Sequence, residues 1–290
     1  MLTGPTGPGS FPPGAVVTCD YLDKKMSGTS PKFTCVVPPD DELKVKYGRD
    51  NGEVFAEVAS SRLLWALGFG ADHLYPVSVV CHGCPSKITG TEFASIQRKM
   101  PGKEIEAGEH TGWAWPELDL MDSEAATAER PERDALKLLA VLLQHTDSKP
   151  EQQRLLCVDA EKGKGAPCTK TFMMVHDLGL TFGRANYLNR NRVASVNFPE
   201  WSRTPVWKDS TGCTANMAKS RRGTLDNPVI SEAGRRFLAD LLARLSDTQL
   251  TDLFTASRIA NRSGSTATVQ QWVDAFKQKR NEIVTRTCPS

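Results

Sequence analysis

The helix-like run AERPERDALKLLAVLLQHT (128–146) constrains the fold most, because it leads directly into a dense polar cluster. Its apolar residues recur at helical spacing, and the cluster HTDSKPEQ (145–152) contains a proline that ends the pattern. Two strand-like runs follow, RLLCV (154–158) and TFMMVHD (171–177), and the second ends in an aspartate followed by a leucine and a glycine. This order predicts a polar loop at the end of a buried helix, beside a hairpin.

The elements on either side of this run differ in kind. Four strand-like runs come before it, at 32–37, 43–47, 74–81 and 93–100, with an apolar helix EVFAEVASSRLLWALGF (53–69) between the second and third. Three helices come after it, at 231–245, 247–260 and 268–286. We therefore predict an α+β fold with two lobes, a small β-rich N-lobe (15–101) and a mainly helical C-lobe (102–290).

The remaining features of the whole chain exclude some classes of partner. A length of 290 residues allows a large core, and a formal net charge of +2 gives no electrostatic reason to expect nucleic acid as a partner. No apolar run approaches the roughly 20 residues of a membrane helix, so no membrane span is expected. Residues 1–14 are rich in glycine and proline and are expected to be disordered or a non-native tail. The oligomeric state is not indicated.

Eight cysteines, an even number spread along the chain, favour disulfides in an exported protein, periplasmic or secreted. A cytoplasmic location is the alternative, because the first residues show no signal-peptide pattern. Cys157 and Cys168 bracket a polar stretch that a disulfide would close. Cys81 and Cys84 form CHGC, which fits a local disulfide, a redox pair or half of a zinc site, with zinc ranked below the disulfide.

The cluster HTDSKPEQ has the form of the protein-kinase catalytic loop H-R-D-L-K-P-E-N, with five matches in register. In such a loop Asp147 accepts the proton of the attacking hydroxyl, and Lys149 neutralises the transferring phosphoryl group. Gln152, five residues after the aspartate, reaches a metal ion. The alternative is coincidence within a disulfide-rich interaction domain.

Three further residues complete this hypothesis. Asp177 in HDLG has the position of the metal-binding aspartate of D-F-G, although an aspartate after a strand is often only a turn residue. Lys46, preferred to Lys44 on the strand LKVKY, is expected to hold the phosphates, and Glu57 on the next helix to hold Lys46. A surface lysine and a solvated glutamate are the alternatives.

The segments SGTSPKF (27–33), VKYG (45–48) and AEVASSRLLWALGF (56–69) resemble the HipA-type kinases. The last of these, with TFMMVHDLGLTFGRAN (171–186), is also similar to the secretory-pathway kinases that phosphorylate casein. These families share an atypical protein-kinase-like fold with the phosphoinositide kinases and actin-fragmin kinase. The resemblance covers roughly residues 27–183. It implies ATP and Mg²⁺ or Mn²⁺ bound between two lobes, and phosphoryl transfer to a hydroxyl-bearing acceptor: a protein, a sugar or a small molecule.

Carried to single residues, the resemblance implies a phosphate-binding loop, a catalytic pair, a metal pair and an adenine-binding hinge. The phosphate contacts would come from the backbone of Gly28, Thr29 and Ser30 and from Lys46, which Glu57 orients. The catalytic residues would be Asp147 and Lys149, and the metal ligands Asp177 and Gln152. The hinge SIQRKM (95–100) would meet adenine through Gln97 and Met100.

Two departures from the family pattern leave alternatives open. Gln152 stands where asparagine or a carboxylate is usual, and the phosphate-binding loop is not glycine-rich. A kinase-shaped pseudoenzyme and an AMP-transferring enzyme, each binding nucleotide without kinase activity, therefore remain alternatives.

A basic, aromatic segment marks the expected place of the acceptor, with an ordinary solvated loop as the alternative. It contains Trp201, Arg203, Trp207, Lys208, Lys219, Arg221 and Arg222.

Overall fold

The computed structural model describes residues 1–105, 112–120, 129–159, 168–184, 196–217, 220 and 222–289. Its N-terminal part is a closed five-stranded barrel with the strand order β1-β2-β3-β5-β4. The strands are β1 (Val16–Leu22), β2 (Lys32–Val37), β3 (Asp41–Tyr47), β4 (His73–His82) and β5 (Ala94–Arg98). Neighbouring strands are antiparallel except β1 and β4, which pair in parallel and close the barrel.

Alternation along each strand separates the barrel core from a polar outer face. Val45 on β3 and Ile96 on β5 point inward and are fully buried, and the disulfide between Cys19 and Cys35 joins β1 to β2 inside the same core. The even positions on β3, such as Lys46, and the odd positions on β5, such as Ser95 and Gln97, therefore face outward. The sequence predicted four of the five strands but missed β1, the strand that closes the barrel.

Helix α1 (Glu53–Ala66) lies against the outer face of the barrel and is buried on almost every side. Its polar residues Glu57, Ser60 and Arg62 are buried together with its apolar ones. The apolar residues of α1 belong to the core cluster of the C-terminal helices and not to the barrel core. The position of α1 is thus fixed from both sides, by the barrel and by the helical part of the chain.

The C-terminal part is mainly helical, with one small sheet. Its helices are α2 (Arg130–Leu143), α3 (Phe198–Arg203), α4 (Glu232–Ala243), α5 (Asp247–Ala256) and α6 (Val269–Val284). The sheet has the order β6-β7-β8, from Lys103–Glu104, Gln153–Cys157 and Thr171–Val175. Side-chain caps from Ser231, Ser246 and Thr268 begin the last three helices, which confirms the predicted helices in this region.

The N-terminal residues 1–14 differ from the expected disordered tail, because they pack against α1 and the barrel. The buried Arg62 guanidinium donates from Nη1 to the carbonyl oxygens of Met1 (2.8 Å) and Leu2 (2.5 Å). The Tyr75 hydroxyl donates to the Pro5 carbonyl at 3.0 Å. A buried guanidinium needs acceptors, and this segment supplies them.

All eight cysteines form disulfides, pairing Cys19 with Cys35, Cys81 with Cys84, Cys157 with Cys168 and Cys213 with Cys288. The CHGC segment therefore forms a local disulfide, the alternative that the sequence analysis ranked above a zinc site. Four disulfides are compatible with an oxidising environment. Within the described ranges, no helix combines the length and the apolar character that crossing a bilayer requires.

Candidate active site

Lys46 occupies the centre of a buried charged cluster between the barrel and α1. It lies on the outer face of β3, paired in register with Lys32 on β2 and Ser95 on β5, and is only 3% exposed. Its ammonium Nζ is 2.5 Å from Glu53 Oε2, 2.5 Å from Glu57 Oε1 and 3.9 Å from Asp177 Oδ1. The structure thus brings together the three residues Lys46, Glu57 and Asp177 that the sequence assigned to one site.

Burial and charge act against each other within this cluster. Burial alone would lower the pKa of Lys46, but the carboxylates of Glu57, Asp177 and Glu53 outweigh it and raise that pKa above its ordinary value. Burial raises the pKa of Glu57, only partly offset by Lys46. Burial would also raise the pKa of Asp177, but Lys46 and hydrogen bonds, including one from the Gly179 amide at 3.0 Å, hold it far below its usual range.

The same cluster has the donor set for a divalent cation. One carboxylate oxygen from each of Glu53, Glu57 and Asp177 lies within 4.8 Å of the others. Glu57 Oε2 is buried without a hydrogen-bond partner. One ammonium faces three carboxylates, and hard cations such as Mg²⁺ prefer such oxygen ligands. Glu57 and Asp177, with Glu53 beside them, are therefore the residues best placed to hold Mg²⁺ or Mn²⁺.

Gln152, expected as a metal ligand, is engaged differently in the structure. Its side-chain amide Nε2 donates to Asp147 Oδ2 at 2.7 Å, so the end of the amide that cannot bind a cation faces Asp147. Its backbone carbonyl accepts from the amides of His176 (2.7 Å) and Asp177 (3.3 Å). Gln152 thereby orients Asp147 and ties the polar loop to the strand that carries Asp177.

Asp147 and Lys149 lie together at the end of α2, as the loop pattern predicts. Lys149 Nζ is 3.1 Å from Asp147 Oδ2, and each side chain is about a quarter exposed. The Thr146 amide donates to the Leu180 carbonyl at 3.0 Å, which joins this loop to the segment after Asp177. Asp147 therefore remains partly exposed to solvent while its loop is held on two sides.

His145 begins the polar loop but is completely buried. Its ring packs edge-on against Trp115, with 6.2 Å between ring centroids, and neither ring nitrogen has a hydrogen-bond partner. Burial lowers the pKa of His145 to about 4, opposed only in part by Asp177 and Asp147. The imidazole is thus a neutral core residue, and its place in the motif reflects packing under the loop.

We expect His145 to make the protein sensitive to acid. Its pKa is lower in the folded chain than in the unfolded chain, so the unfolded state binds one more proton between about pH 4 and pH 6.5. Stability present above pH 6.5 is therefore lost as the pH falls, by up to about 3 kcal/mol. His145→Phe should flatten this part of the profile. Denaturant unfolding of both proteins from pH 4 to pH 7 measures it, and parallel profiles would contradict the assignment.

The predicted phosphate-binding loop lies beside the cluster. Gly28 has φ +82°, a conformation that favours glycine, and Thr29 is exposed. The buried Ser30 hydroxyl donates to Glu53 Oε2 at 2.9 Å, which links the loop to α1. Lys32, which the sequence analysis did not single out, is half-buried opposite Lys46, and burial together with Lys46 lowers its pKa. The sequence signal that could have indicated Lys32 is the pair Pro31-Lys32 within SGTSPKF (27–33).

The expected hinge residues Gln97 and Met100 meet at a carboxylate that the sequence analysis missed. Asp72, 2% exposed, accepts from Gln97 Nε2 (2.5 Å) and from the Met100 amide (2.8 Å). His176 Nδ1 lies 2.8 Å from the same carboxylate. Asp72 therefore connects the hinge to the strand that leads into Asp177. No local pattern in GADHL indicates this role.

The expected acceptor segment is partly core. Trp201 is fully buried and donates from Nε1 to the Leu142 carbonyl at 2.8 Å, and Trp207 is 6% exposed. The two tryptophans of this segment are therefore core residues and are not available to contact an acceptor, which corrects that part of the prediction. Lys219 and Arg221 lie outside the described residues.

Comparison with solved structures identifies the fold. The chain is similar to the Helicobacter pylori proinflammatory kinase CtkA, with a TM-score of 0.51 and 12% identity over 94% of this chain and 98% of that one. It is also similar to the Golgi casein kinase with Mn and ADP bound (TM-score 0.42, 11% identity, 94% of this chain and 72% of that one). A third similar structure is the Rio2 kinase from Chaetomium thermophilum (TM-score 0.34, 12% identity, 84% and 73%).

At these identities the comparison with CtkA shows the fold alone: the chain has an atypical protein-kinase-like fold, with mixed α/β content and a β-rich N-terminal part. No protein-family model matches the sequence, and no curated protein matches it.

Proposed function

We propose that this chain is an atypical kinase that transfers the γ-phosphoryl group of ATP to a hydroxyl acceptor, with Mg²⁺ or Mn²⁺ as the metal. Nucleotide would bind between a β-rich N-lobe and a helical C-lobe. The observation that carries the proposal is the meeting of Lys46, Glu57 and Asp177 in one buried cluster. A buried lysine surrounded by carboxylates has the charge pattern that nucleotide phosphates with a divalent cation require.

In this proposal the residues of the cluster bind the phosphates and the metal ion. Lys46 binds the phosphates and Glu57 holds Lys46 in place, while Asp177 and Glu57 hold the metal ion, whose charge stabilises the phosphates. The backbone of the loop from Gly28 to Ser30 covers the phosphates.

The transfer itself takes place at Asp147. The acceptor oxygen forms a bond to the γ-phosphorus, the bond to the bridging oxygen breaks, and ADP leaves. Asp147 accepts the hydroxyl proton. Lys149, whose Nζ is 3.1 Å from Asp147 Oδ2, faces the transferred group.

Two other parts of the proposal concern partners and location. The acceptor is a hydroxyl-bearing protein, sugar or small molecule, and nucleic acid is not proposed as a partner because the net charge is only +2. The four disulfides favour a periplasmic or secreted location over a cytoplasmic one.

Labelled ATP tests the proposal directly. We expect label from the γ-phosphorus to appear on a hydroxyl acceptor or on the protein itself, and Asp147→Ala to lower the rate by at least about 100-fold, the usual contribution of a positioned acid–base residue. Asp240→Ala, an exposed position on α4, is the matched control and should keep the full rate. If nucleotide binds but no acceptor of any class is labelled, the kinase activity is contradicted and the pseudoenzyme is the remaining alternative.

AMP transfer is the second candidate, because Gln152 replaces the usual asparagine or carboxylate and faces Asp147. Parallel reactions with ATP labelled at the α-phosphorus separate the two activities. Covalent label from the α-phosphorus indicates AMP transfer, and label from the γ-phosphorus alone indicates the kinase.

A further inference from the structure

One carboxylate oxygen of Glu53 joins the phosphate-binding loop to the lysine of β3. Glu53 Oε2 accepts from the Ser30 hydroxyl at 2.9 Å and lies 2.5 Å from Lys46 Nζ. A serine hydroxyl has a single hydrogen to donate, and Ser30 is only 8% exposed. The Ser30 hydroxyl therefore holds the Glu53 carboxylate on the ammonium of Lys46, beside the loop that is proposed to cover the phosphates.

The Lys46 ammonium is fully taken up by carboxylates of the protein itself. It has three N–H groups, and its nitrogen lies 2.5 Å from Glu53 Oε2, 2.5 Å from Glu57 Oε1 and 3.9 Å from Asp177 Oδ1. Of the two glutamates, Glu53 has the more exposed side chain, 15% against 5% for Glu57. Because its carboxylate regains water more easily, Glu53 is the glutamate that leaves Lys46 at the lower cost.

The Glu53 side chain occupies room that a glycine leaves open. A Cβ atom at Gly179 would lie 2.9 Å from Glu53 Cγ and 3.0 Å from Glu53 Cδ, which is closer than carbon atoms approach. The Glu53 carboxylate thus lies among three parts of the candidate site: the phosphate-binding loop, the strand lysine and the segment after Asp177.

The same side chain can also serve a cation without movement of the backbone. The Glu53 amide donates to Asn51 Oδ1 at 3.2 Å, which holds the start of α1. A carboxylate oxygen of Glu53 lies within 4.8 Å of ligand oxygens of Glu57 and Asp177. A divalent cation carries twice the charge of an ammonium and attracts a carboxylate more strongly at equal distance. With such an ion among the three carboxylates, Glu53 has a stronger partner than the lysine.

We propose, on the basis of the proposed function, that Glu53 is a positioning residue with two alternating partners. Without metal, Glu53 is held on Lys46 by Ser30 and keeps the phosphates of a nucleotide away from that ammonium. The cluster then has three negative charges and one positive charge, so it also repels phosphates. With Mg²⁺ or Mn²⁺, Glu53 turns to the cation and leaves Lys46 to the phosphates. Glu53 thus makes nucleotide binding depend on the metal ion.

Binding of ATP with and without metal measures this role. Dissociation constants are determined by isothermal titration calorimetry, with excess Mg²⁺ and with a metal chelator, for wild type, Glu53→Gln and Ser30→Ala. Glu53→Gln keeps the size of the side chain but removes its charge, so ATP without metal should bind at least about tenfold more tightly. With Mg²⁺ its affinity for ATP should be unchanged or lower, because a ligand of the cation is lost.

Ser30→Ala separates the hold on Glu53 from the net charge of the cluster. This variant keeps every charge and every backbone N–H of the loop, but it removes the hydrogen bond that holds Glu53. ATP without metal should therefore bind about threefold more tightly than to wild type. A hydroxyl that bound phosphate directly would give the opposite result. In the Glu53→Gln protein, Ser30→Ala should have no further effect, since both substitutions act on one contact.

Glu132→Gln, at an exposed position in the first turn of α2, is the matched control and should leave both dissociation constants unchanged. A melting curve without nucleotide shows whether each variant is folded. If Glu53→Gln is not folded, Ser30→Ala decides.

The outcomes separate this inference from the proposed function. If wild type binds ATP with Mg²⁺ but Glu53→Gln binds metal-free ATP no more tightly than wild type, the role of Glu53 is wrong while nucleotide binding stands. If Glu53→Gln tightens metal-free binding and Ser30→Ala does not, net charge explains the effect and the hold by Ser30 is contradicted. If no protein binds ATP under either condition, the inference and the proposed function are both wrong.

Discussion

Replacing Asp177 by asparagine is expected to abolish the stabilisation of this protein by nucleotide and metal. With nucleotide near 100 times its dissociation constant, the wild-type chain should gain about 2.7 kcal/mol, or about 5–10 °C in melting temperature. The asparagine keeps the size of the side chain but removes the charge that a divalent cation requires. Because Asp177 and Glu57 both face the proposed metal position, the loss should appear with Mg²⁺ and with Mn²⁺.

The measurement is a thermal melt of wild type and Asp177→Asn with ATP, GTP or neither, each with and without metal. Asp240→Asn on the exposed side of α4 is the matched control and should shift as the wild type does. A full metal-dependent shift in melting temperature for Asp177→Asn would show that Asp177 is not a metal ligand. A shift in wild type that does not need metal would indicate nucleotide binding without the proposed cation.

The parts of the site that the sequence predicted are those carried by local patterns. The residues of the loop HTDSKPEQ lie within a few positions of one another, and so do those of the strand end HDLG. Each set can therefore be recognised from its spacing in the sequence. Lys46 and Glu57, only 11 residues apart, belong to a strand and the helix that follows it. Strand alternation and helical periodicity then place both side chains on the facing surfaces.

The parts that sequence reasoning missed depend on contacts between distant segments. Asp72 finds its partners 25, 28 and 104 residues away, so no local pattern reveals it. The Gly/Pro-rich residues 1–14 are ordered because a buried arginine on α1 needs carbonyl acceptors, which composition does not show. β1 (Val16–Leu22) directly follows this segment, and only pairing with β2 and β4 makes it a strand of the barrel.

Gln152 shows the limit of reading one motif position at a time. The loop pattern assigns it to the metal, yet the structure turns its amide nitrogen to Asp147. The carboxylates that lie beside Asp177 are instead those of Glu53 and Glu57 on α1, and Glu53 was not among the predicted residues.

Removing Lys46 and removing the charge of Glu57 are expected to change the stability of the metal-free protein in opposite directions. Lys46→Met leaves Glu53, Glu57 and Asp177 buried without a cation, which should cost about 3–5 kcal/mol. Glu57→Gln removes one of three crowded carboxylates while its amide oxygen can still accept from Lys46. This variant should therefore be as stable as the wild type or more stable, by up to about 2 kcal/mol.

The pH dependence follows from the raised pKa of Glu57. Its ordinary value is 4.5, and burial makes the folded chain hold this proton at higher pH than the unfolded chain does. The folded state then binds more protons than the unfolded state, so the contribution of Glu57 to stability falls as the pH rises above about 4.5. Glu57→Gln lacks this loss, and its advantage over wild type should grow with pH.

Urea unfolding of the three proteins with a metal chelator present, from pH 5 to pH 8, measures these effects. Adding Mg²⁺ and nucleotide should reverse the order, because wild type gains stability that Glu57→Gln cannot gain. This reversal is expected only of a cluster that is arranged for a cation at the expense of the metal-free fold. If Glu57→Gln instead loses several kcal/mol at every pH and Lys46→Met loses none, the buried carboxylates serve the fold and not a metal ion.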